Sequence, residues 1–215
     1  MWREHGDVLT APTVARLVAS SAKPKSNVLF LGYDKTKTRL IDALSANKCK
    51  IWHTEDRMQC FDSFDIVVSF GYRYIIPEEL IRNTKAPIIN LHTGYLPWNR
   101  GAHPNFWAFY DGTPSGVSIH LIDKGIDTGP VLYQRRVQFT KDETTFKATY
   151  NRLISEVEDL FLENIIEFIE QRFTATPQRG PGSFKRVRDL PVDFSGWNAE
   201  IEAEIRRLRS KEPLA

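Results

Sequence analysis

The sequence predicts an α/β fold with a mostly parallel central sheet flanked by helices and a short C-terminal appendage. Three short apolar runs carry that prediction: Val28-Leu-Phe-Leu31, Asp65-Ile-Val-Val-Ser-Phe70 and Pro87-Ile-Ile-Asn-Leu-His92. Near-continuous apolar strands are what parallel sheets need, because crossover helices cover both faces. The first two runs end in Gly32 and Gly71, and helical spacing separates the runs, so the β–α–β–β–α–β order reads as a parallel, doubly wound sheet.

Residues 1–26 read as an N-terminal extension, with a helix from Pro12 to Ser20 capped by Thr10. Asp34 to Ser45 reads as a helix with Leu40, Ile41 and Leu44 on one face, and Lys50 to His53 as a short strand. Pro77 opens a short helix whose first turn carries Glu78 and Glu79, suiting the helix dipole. Residues 93–104 form a loop rich in Gly, Pro and aromatics, followed by a helix from Asn105 to Tyr110. Gly116 to Asp123 alternates, with Val117, Ile119 and Leu121 on one face, and Val131 to Phe139 is a further strand. Thr140 and Glu143 have capping-box spacing. Behind them, Phe146, Tyr150, Leu153, Val157, Leu160, Phe161, Ile165 and Phe168 predict one long amphipathic helix to about Arg172. That closes a domain over 27–172. The appendage, 173–215, opens with a Pro/Gly break and ends in a charged helix striped by Ile201, Ile205 and Leu208. It is a candidate for substrate or homodimer contacts, or for packing back on the body.

Composition excludes several function classes. The chain has 215 residues, 41% of them hydrophobic and 26% charged, so it can bury a core and is not wholly disordered. Its net charge is +2, from 29 basic and 27 acidic residues, so no broad basic field predicts a nucleic-acid partner. No apolar run approaches the roughly 20 residues that span a bilayer, so no membrane partner is expected. Cys49 and Cys60 are too few for a disulfide scaffold or a four-sulfur metal site, and a reducing, cytoplasmic setting is expected.

Polar residues gather where ligands bind in open parallel sheets, beyond the carboxyl ends of strands. Asn90 and His92 lie two apart at such an end, so a strand points both side chains to one face. A single polar residue there is ordinarily just solvated. The long aromatic loop Thr93-Gly-Tyr-Leu-Pro-Trp-Asn-Arg-Gly101 changes the reading, since such loops usually carry function. His120 and Asp123 follow in the alternating strand, then Gly125-Ile-Asp-Thr-Gly129. Asp127 taken alone is an ordinary turn former. A single Asp-Thr-Gly without a second copy or a duplicated all-β pattern does not make an aspartic protease. His92, His120 and Asp127 could be drawn as a zinc set, though no metal is expected.

Asn90-Leu-His92, Leu96-Pro-Trp-Asn-Arg-Gly101, Val117-Ser-Ile-His120 and Gly125-Ile-Asp-Thr-Gly129, in that order, resemble the folate-dependent formyltransferases. That family includes glycinamide ribonucleotide, methionyl-tRNA and nucleotide-sugar formyltransferases. The resemblance is close over residues 64–140 and extends, through a Rossmann-like layout, over about 27–172. It implies that Asn90, His92 and Asp127 are catalytic and that 10-formyltetrahydrofolate is the co-substrate. In physical terms, amine attack on a formyl carbon develops an oxyanion, which the Asn90 amide and a protonated His92 can stabilise. His92 can also pass the proton from the amine to the folate nitrogen, while Asp127 favours the imidazolium and orders a water.

The resemblance places the pterin pocket on Tyr72, Arg73, Tyr74, Ile75 and Ile76, and on Leu121, Ile122, Asp123 and Ile126. Ile75 and Ile76 can pack as core while their backbone binds. The turn Gly32-Tyr-Asp-Lys-Thr36 has one glycine and an acidic residue, a poor phosphate nest, which demotes the purine enzyme. The tail is shorter than the domain that holds tRNA, and the N-terminal extension shorter than the regulatory domain of formyltetrahydrofolate hydrolases. The expected acceptor is therefore the amine of a nucleotide-linked amino deoxysugar, in polysaccharide precursor synthesis. Tyr95, Trp98, Arg100, Lys185 and Arg186 are its candidate contacts, with Arg188 a further cation and Trp107 more at home in the core. The tail cations read equally as a solvated face. Other small amines (glycinamide ribonucleotide, an amino acid, a hydroxyornithine-like amine), a non-catalytic folate binder and a metal-dependent hydrolase stay open.

Overall fold

The computed structural model describes residues 15–211. Seven strands form the central sheet: β1 (Arg16–Ala19), β2 (Asn27–Gly32), β3 (Lys50–Thr54), β4 (Ile66–Phe70), β5 (Ile88–His92), β7 (Gly116–Leu121) and β8 (Val131–Arg136). Their spatial order is β1-β3-β2-β4-β5-β7-β8. The inner strands β3, β2, β4 and β5 are parallel, while β1, β7 and β8 pair antiparallel with their neighbours. The sheet is thus a parallel centre with antiparallel margins.

Alternation explains the burial. Val28 and Phe30 of β2 enter one core cluster, and Leu29 and Leu31 enter the other, on the opposite face. Ile89 and Leu91 of β5 point to the first cluster, so Ile88, Asn90 and His92 share the second face. The first face is covered by α1 (Leu40–Ala46), α4 (Phe146–Glu163) and α5 (Ile165–Ile169). On the second face, α2 (Glu78–Asn83) adds Leu80 and Ile81.

Four expectations change. The helix expected over Pro12–Ser20 is, in its described part, the edge strand β1, because its backbone pairs with β3. Thr10, its expected cap, lies outside the described residues. The helix expected from Asp34 begins at Leu40, because the Asp34 carboxylate accepts from both the N–H and the hydroxyl of Thr36 and holds a turn. The single long helix is two, divided at Asn164, whose side-chain amide donates back to the Leu160 carbonyl at 2.8 Å. Its cap is Thr145, accepting from the Ala148 N–H at 3.2 Å, while Thr140 and Glu143 close only the preceding turn.

The appendage packs back on the body. α3 (Pro104–Tyr110) and α6 (Ile201–Arg209) form a third cluster in which Ile201, Ile205 and Leu208 meet Phe106, Trp107 and Phe146. Phe106 is fully buried, with ring centroids 5.3 Å from Phe146 and 5.1 Å from Phe194. A two-stranded pair, β6 (Arg100–Gly101) and β9 (Phe184–Lys185), ties the tail to the loop after β5. Among the described residues, no helix is long and apolar enough to cross a membrane.

Candidate active site

The site begins with strand register. Asn90 on β5 lies opposite His120 on β7, and the Asn90 amide nitrogen is 3.1 Å from His120 Nε2. The same nitrogen donates to Asp127 Oδ1 at 3.3 Å. His92 Nδ1 is 3.6 Å from Asp127 Oδ2, and His120 Nε2 is 3.4 Å from Oδ1. One carboxylate therefore gathers Asn90, His92 and His120.

Ring partners set the tautomers. A carbonyl only accepts, so His92 Nε2, 3.0 Å from the Asn99 carbonyl, carries the proton of the neutral ring and turns the Nδ1 lone pair toward Asp127. His120 Nδ1, 2.8 Å from the Leu121 carbonyl, carries its proton and leaves Nε2 to accept from Asn90. Burial pushes the His92 pKa below its ordinary value, against the pull of Asp127. The carboxylate favours the imidazolium, but burial acts against it more strongly. Burial also raises the Asp127 pKa, yet His92, His120 and the Gly101 N–H beside it hold the carboxyl well below the usual carboxylate range.

Asp127 is held from several sides. Its φ is 52°, the left-handed region where a non-glycine residue is strained, a conformation often found at functional sites. The Gly101 N–H donates to Oδ2 at 2.8 Å. Gln178 donates through Nε2 to the Asp127 carbonyl at 2.8 Å and to the Gly129 carbonyl at 2.7 Å. Gly129 is obligatory here: a Cβ would lie 1.8 Å from the Leu121 carbonyl oxygen.

Residues 39–165, more than half of the sequence, match the family model described as formyl transferase. The chain belongs to the formyl transferase family. Methionyl-tRNA formyltransferase of Thermodesulfovibrio yellowstonii is 36% identical, covering 70% of this chain and 48% of that protein. GDP-perosamine N-formyltransferase of Brucella melitensis is 30% identical, covering 67% of this chain and 56% of that protein. The chain thus spans about half the length of these curated relatives. Among solved structures, the formyltransferase PseJ from Anoxybacillus kamchatkensis is similar, with a TM-score of 0.75 and 34% identity over 82% of this chain and 96% of that one. That structure is a complex with UDP-4,6-dideoxy-4-formamido-L-AltNAc and tetrahydrofolate.

In this member of the family, a cavity of about 530 Å³ opens on Asn90, His120 and Asp127 and is walled by residues 72–76, 122–127 and 184–187. Tyr72, Arg73, Tyr74, Ile75, Ile76, Ile122, Asp123 and Ile126 therefore all line it. Leu121 does not. Strand alternation turns it into the first core cluster. Ile75 is 77% exposed and Ile126 43%, so apolar surface faces the cavity, while Ile76 is buried core. Asp123 holds the loop itself, accepting from the Gly125 N–H at 3.0 Å and the Thr128 hydroxyl at 2.6 Å.

The five candidate acceptor contacts are not brought together. Lys185 and Arg186 line the same cavity, but the Lys185 ammonium pairs with Asp111 at 3.2 Å and sits 3.8 Å from the Trp107 ring centroid. The Arg186 guanidinium lies over Phe184. Arg100 donates twice to Gln178 Oε1, at 3.0 and 2.8 Å, and so braces the clamp on Asp127. Tyr95 lies against the Arg136 guanidinium at 5.1 Å, and Trp98 is half-buried in the loop. Trp107 is core.

Sequence reasoning missed Gln178 and Asn99. Asn99 is 1% exposed, donates to Thr113 Oγ1 at 2.8 Å, and presents the carbonyl that fixes His92. Its own N–H donates to Ser183 Oγ at 2.8 Å. Gln178 acts through contacts with distant segments and no local pattern marks it, whereas Asn99 lies within the Leu96–Gly101 motif but acts on His92 through its backbone carbonyl, which residue type does not reveal. Among the described residues, no group of three or more His, Cys, Asp and Glu is placed to hold a metal ion.

Proposed function

We propose that this chain transfers a formyl group from 10-formyltetrahydrofolate to the amine of a nucleotide-linked amino deoxysugar, as an N-formyltransferase in polysaccharide precursor synthesis. The observation that carries this reading is the likeness to PseJ along 96% of that chain, a structure holding a formamido-sugar nucleotide and tetrahydrofolate. The cavity beside Asn90 and Asp127 suits a folate: its walls combine exposed Ile75 and Ile126 with Tyr72 and Tyr74 and with the backbone of the 122–127 loop. Bound there, the co-substrate supplies a formyl carbon ready for transfer to an amine.

The chain's own residues divide the work. Neutral His92, its Nε2 proton fixed on the Asn99 carbonyl, takes a proton from the attacking amine on Nδ1, the nitrogen that faces Asp127. The resulting imidazolium is stabilised by the Asp127 carboxylate 3.6 Å away. Asn90 turns an amide N–H from its long 3.3 Å contact with Asp127 onto the formyl oxygen as negative charge develops there. His92 then returns the proton to the departing folate nitrogen. The C–N bond to the amine forms, the bond to the folate nitrogen breaks, and His92 ends neutral.

A second reading takes methionyl-tRNA as acceptor, favoured by the 36% identical relative, although that match spans 48% of the relative. One assay separates them: release of tetrahydrofolate from 10-formyltetrahydrofolate with UDP-, GDP- and dTDP-linked amino sugars, glycinamide ribonucleotide or methionyl-tRNA. Turnover with one sugar nucleotide is expected. Turnover with methionyl-tRNA alone overturns the first reading.

A further inference from the structure

His92 has an acceptor on each side. Nδ1 faces Asp127 Oδ2 at 3.6 Å, and Nε2 faces the Asn99 carbonyl at 3.0 Å. A neutral imidazole has one proton to share between them. On Nδ1, that proton faces the carboxylate and leaves no lone pair on the side where the proposed reaction needs a base. On Nε2, it frees Nδ1 to take a proton. Of the two acceptors, only the Asn99 carbonyl is within hydrogen-bond distance. Its placement therefore decides the tautomer.

That carbonyl belongs to a residue in the left-handed region, with φ 57°, where asparagine is among the few non-glycine residues often found. Three hydrogen bonds hold Asn99 there. Its N–H donates to Ser183 Oγ at 2.8 Å, the Ser183 hydroxyl donates back to Asn99 Oδ1 at 3.3 Å, and Asn99 Nδ2 donates to Thr113 Oγ1 at 2.8 Å. Ser183 is itself anchored on both sides of Asn99. Its N–H donates to the Pro97 carbonyl at 3.1 Å, and its own carbonyl accepts from the Arg100 N–H at 3.0 Å. Tail and loop approach so closely that a Cβ on Gly182 would lie 2.3 Å from the Pro97 carbonyl oxygen.

We infer that Ser183, with Thr113, is a positioning residue for the reaction, acting through Asn99 to keep the His92 proton on Nε2. The inference rests on the proposed role of His92 as the base. It makes the C-terminal appendage necessary to the chemistry, and not only to packing.

Nitrogen-15 NMR of the full chain labelled at histidine tests it, at a pH that leaves the ring neutral, with the His92 signals assigned by their loss in His92→Ala. Wild type is expected to carry the proton on Nε2. Ser183→Ala is expected to shift the proton toward Nδ1 and to lower kcat by about 10–100-fold, with KM for both substrates little changed. Thr113→Val keeps the side-chain shape and the backbone bond to the Ala108 carbonyl, and should act in the same direction more weakly. Ser183→Thr keeps the hydroxyl and should restore both readouts. A wild-type proton on Nδ1, or an Nε2 proton unmoved in both Ser183→Ala and Thr113→Val, overturns the inference. So does an equal loss of kcat in Ser183→Thr and Ser183→Ala. The NMR readout needs no substrate, which separates the two failures. The expected tautomers without turnover on any amine overturn the proposed function alone, whereas unmoved tautomers in a chain that turns over overturn this inference alone.

Discussion

The parallel centre of the sheet and the loop-and-tail region beside it are held by different forces. In β2 and β4, Val28 to Leu31 and Ile66 to Val68 are buried apolar groups committed to one face or the other, and little but burial is needed to fix them. The loop from Thr93 to Gly101 and the tail from Thr174 to Lys185 are held by named polar contacts. Asn99 meets Thr113 and Ser183, Gln178 meets Arg100 and Asp127, and Gly101 meets Asp127. The first region sets Asn90 and His92 on a rigid strand end. The second brings Asp127 to them. The candidate site lies on the seam, so mutations in the two regions should fail differently.

The largest effect is expected at the seam itself. His92→Ala and Asn90→Ala should each lower kcat by about 100–1000-fold while thermal unfolding stays close to wild type. In the sheet, Phe30→Ala removes a fully buried side chain and should cost about 3–5 kcal/mol in urea unfolding, with the folded fraction keeping its turnover. Gln178→Ala should do the reverse. Stability should change by about 1 kcal/mol, while kcat falls by up to about 100-fold as Asp127 loses its brace. Equal behaviour of Phe30→Ala and Gln178→Ala would erase the distinction between the regions.

A pH profile sharpens it further. With His92 acting as a neutral base, kcat/KM should rise with pH through an apparent pKa below the ordinary imidazole value and then level off. Asp127 raises that pKa, so Asp127→Asn should move the rising limb to lower pH as well as lowering its plateau. The Asp127 carboxyl is itself depressed in the folded chain, so its stabilisation is present above the unfolded pKa of about 4 and lost as pH falls below it. The stability gap between wild type and Asp127→Asn should therefore shrink on acidification, as measured by unfolding at several pH values. The smallest effect is expected from Ile75→Ser. It should leave stability unchanged, because Ile75 is exposed, and weaken 5-formyltetrahydrofolate binding by roughly tenfold.

The same contrast governed what the sequence revealed. The parallel strands were legible because apolar runs such as Val28–Leu31 can hardly be anything but buried. Asn90, His92 and Asp127 stood out through the resemblance of their motifs to the formyltransferases, and they lie within hydrogen-bonding or ion-pair range of one another. Arg16–Ala19 was not legible, since its apolar pattern is as compatible with a helix turn as with an edge strand, and pairing with β3 decides. Gln178 gave no signal because its partners are far away in sequence, and Asn99 gave none because its backbone carbonyl, not its side chain, fixes His92. Leu121 was placed in the pocket with its neighbours, but strand alternation gives adjacent residues opposite faces. Lys185 read as a free cation, and only the tertiary contact with Asp111 shows where its charge is spent.

The most direct test of the central claim is tetrahydrofolate release from 10-formyltetrahydrofolate, followed with and without a UDP-linked 4-amino sugar, for wild type and His92→Ala side by side. Amine-dependent formyl transfer through His92 gives release that requires the amine and falls at least about 100-fold in the variant. Release at the same rate without the amine, or full activity in His92→Ala, would contradict it.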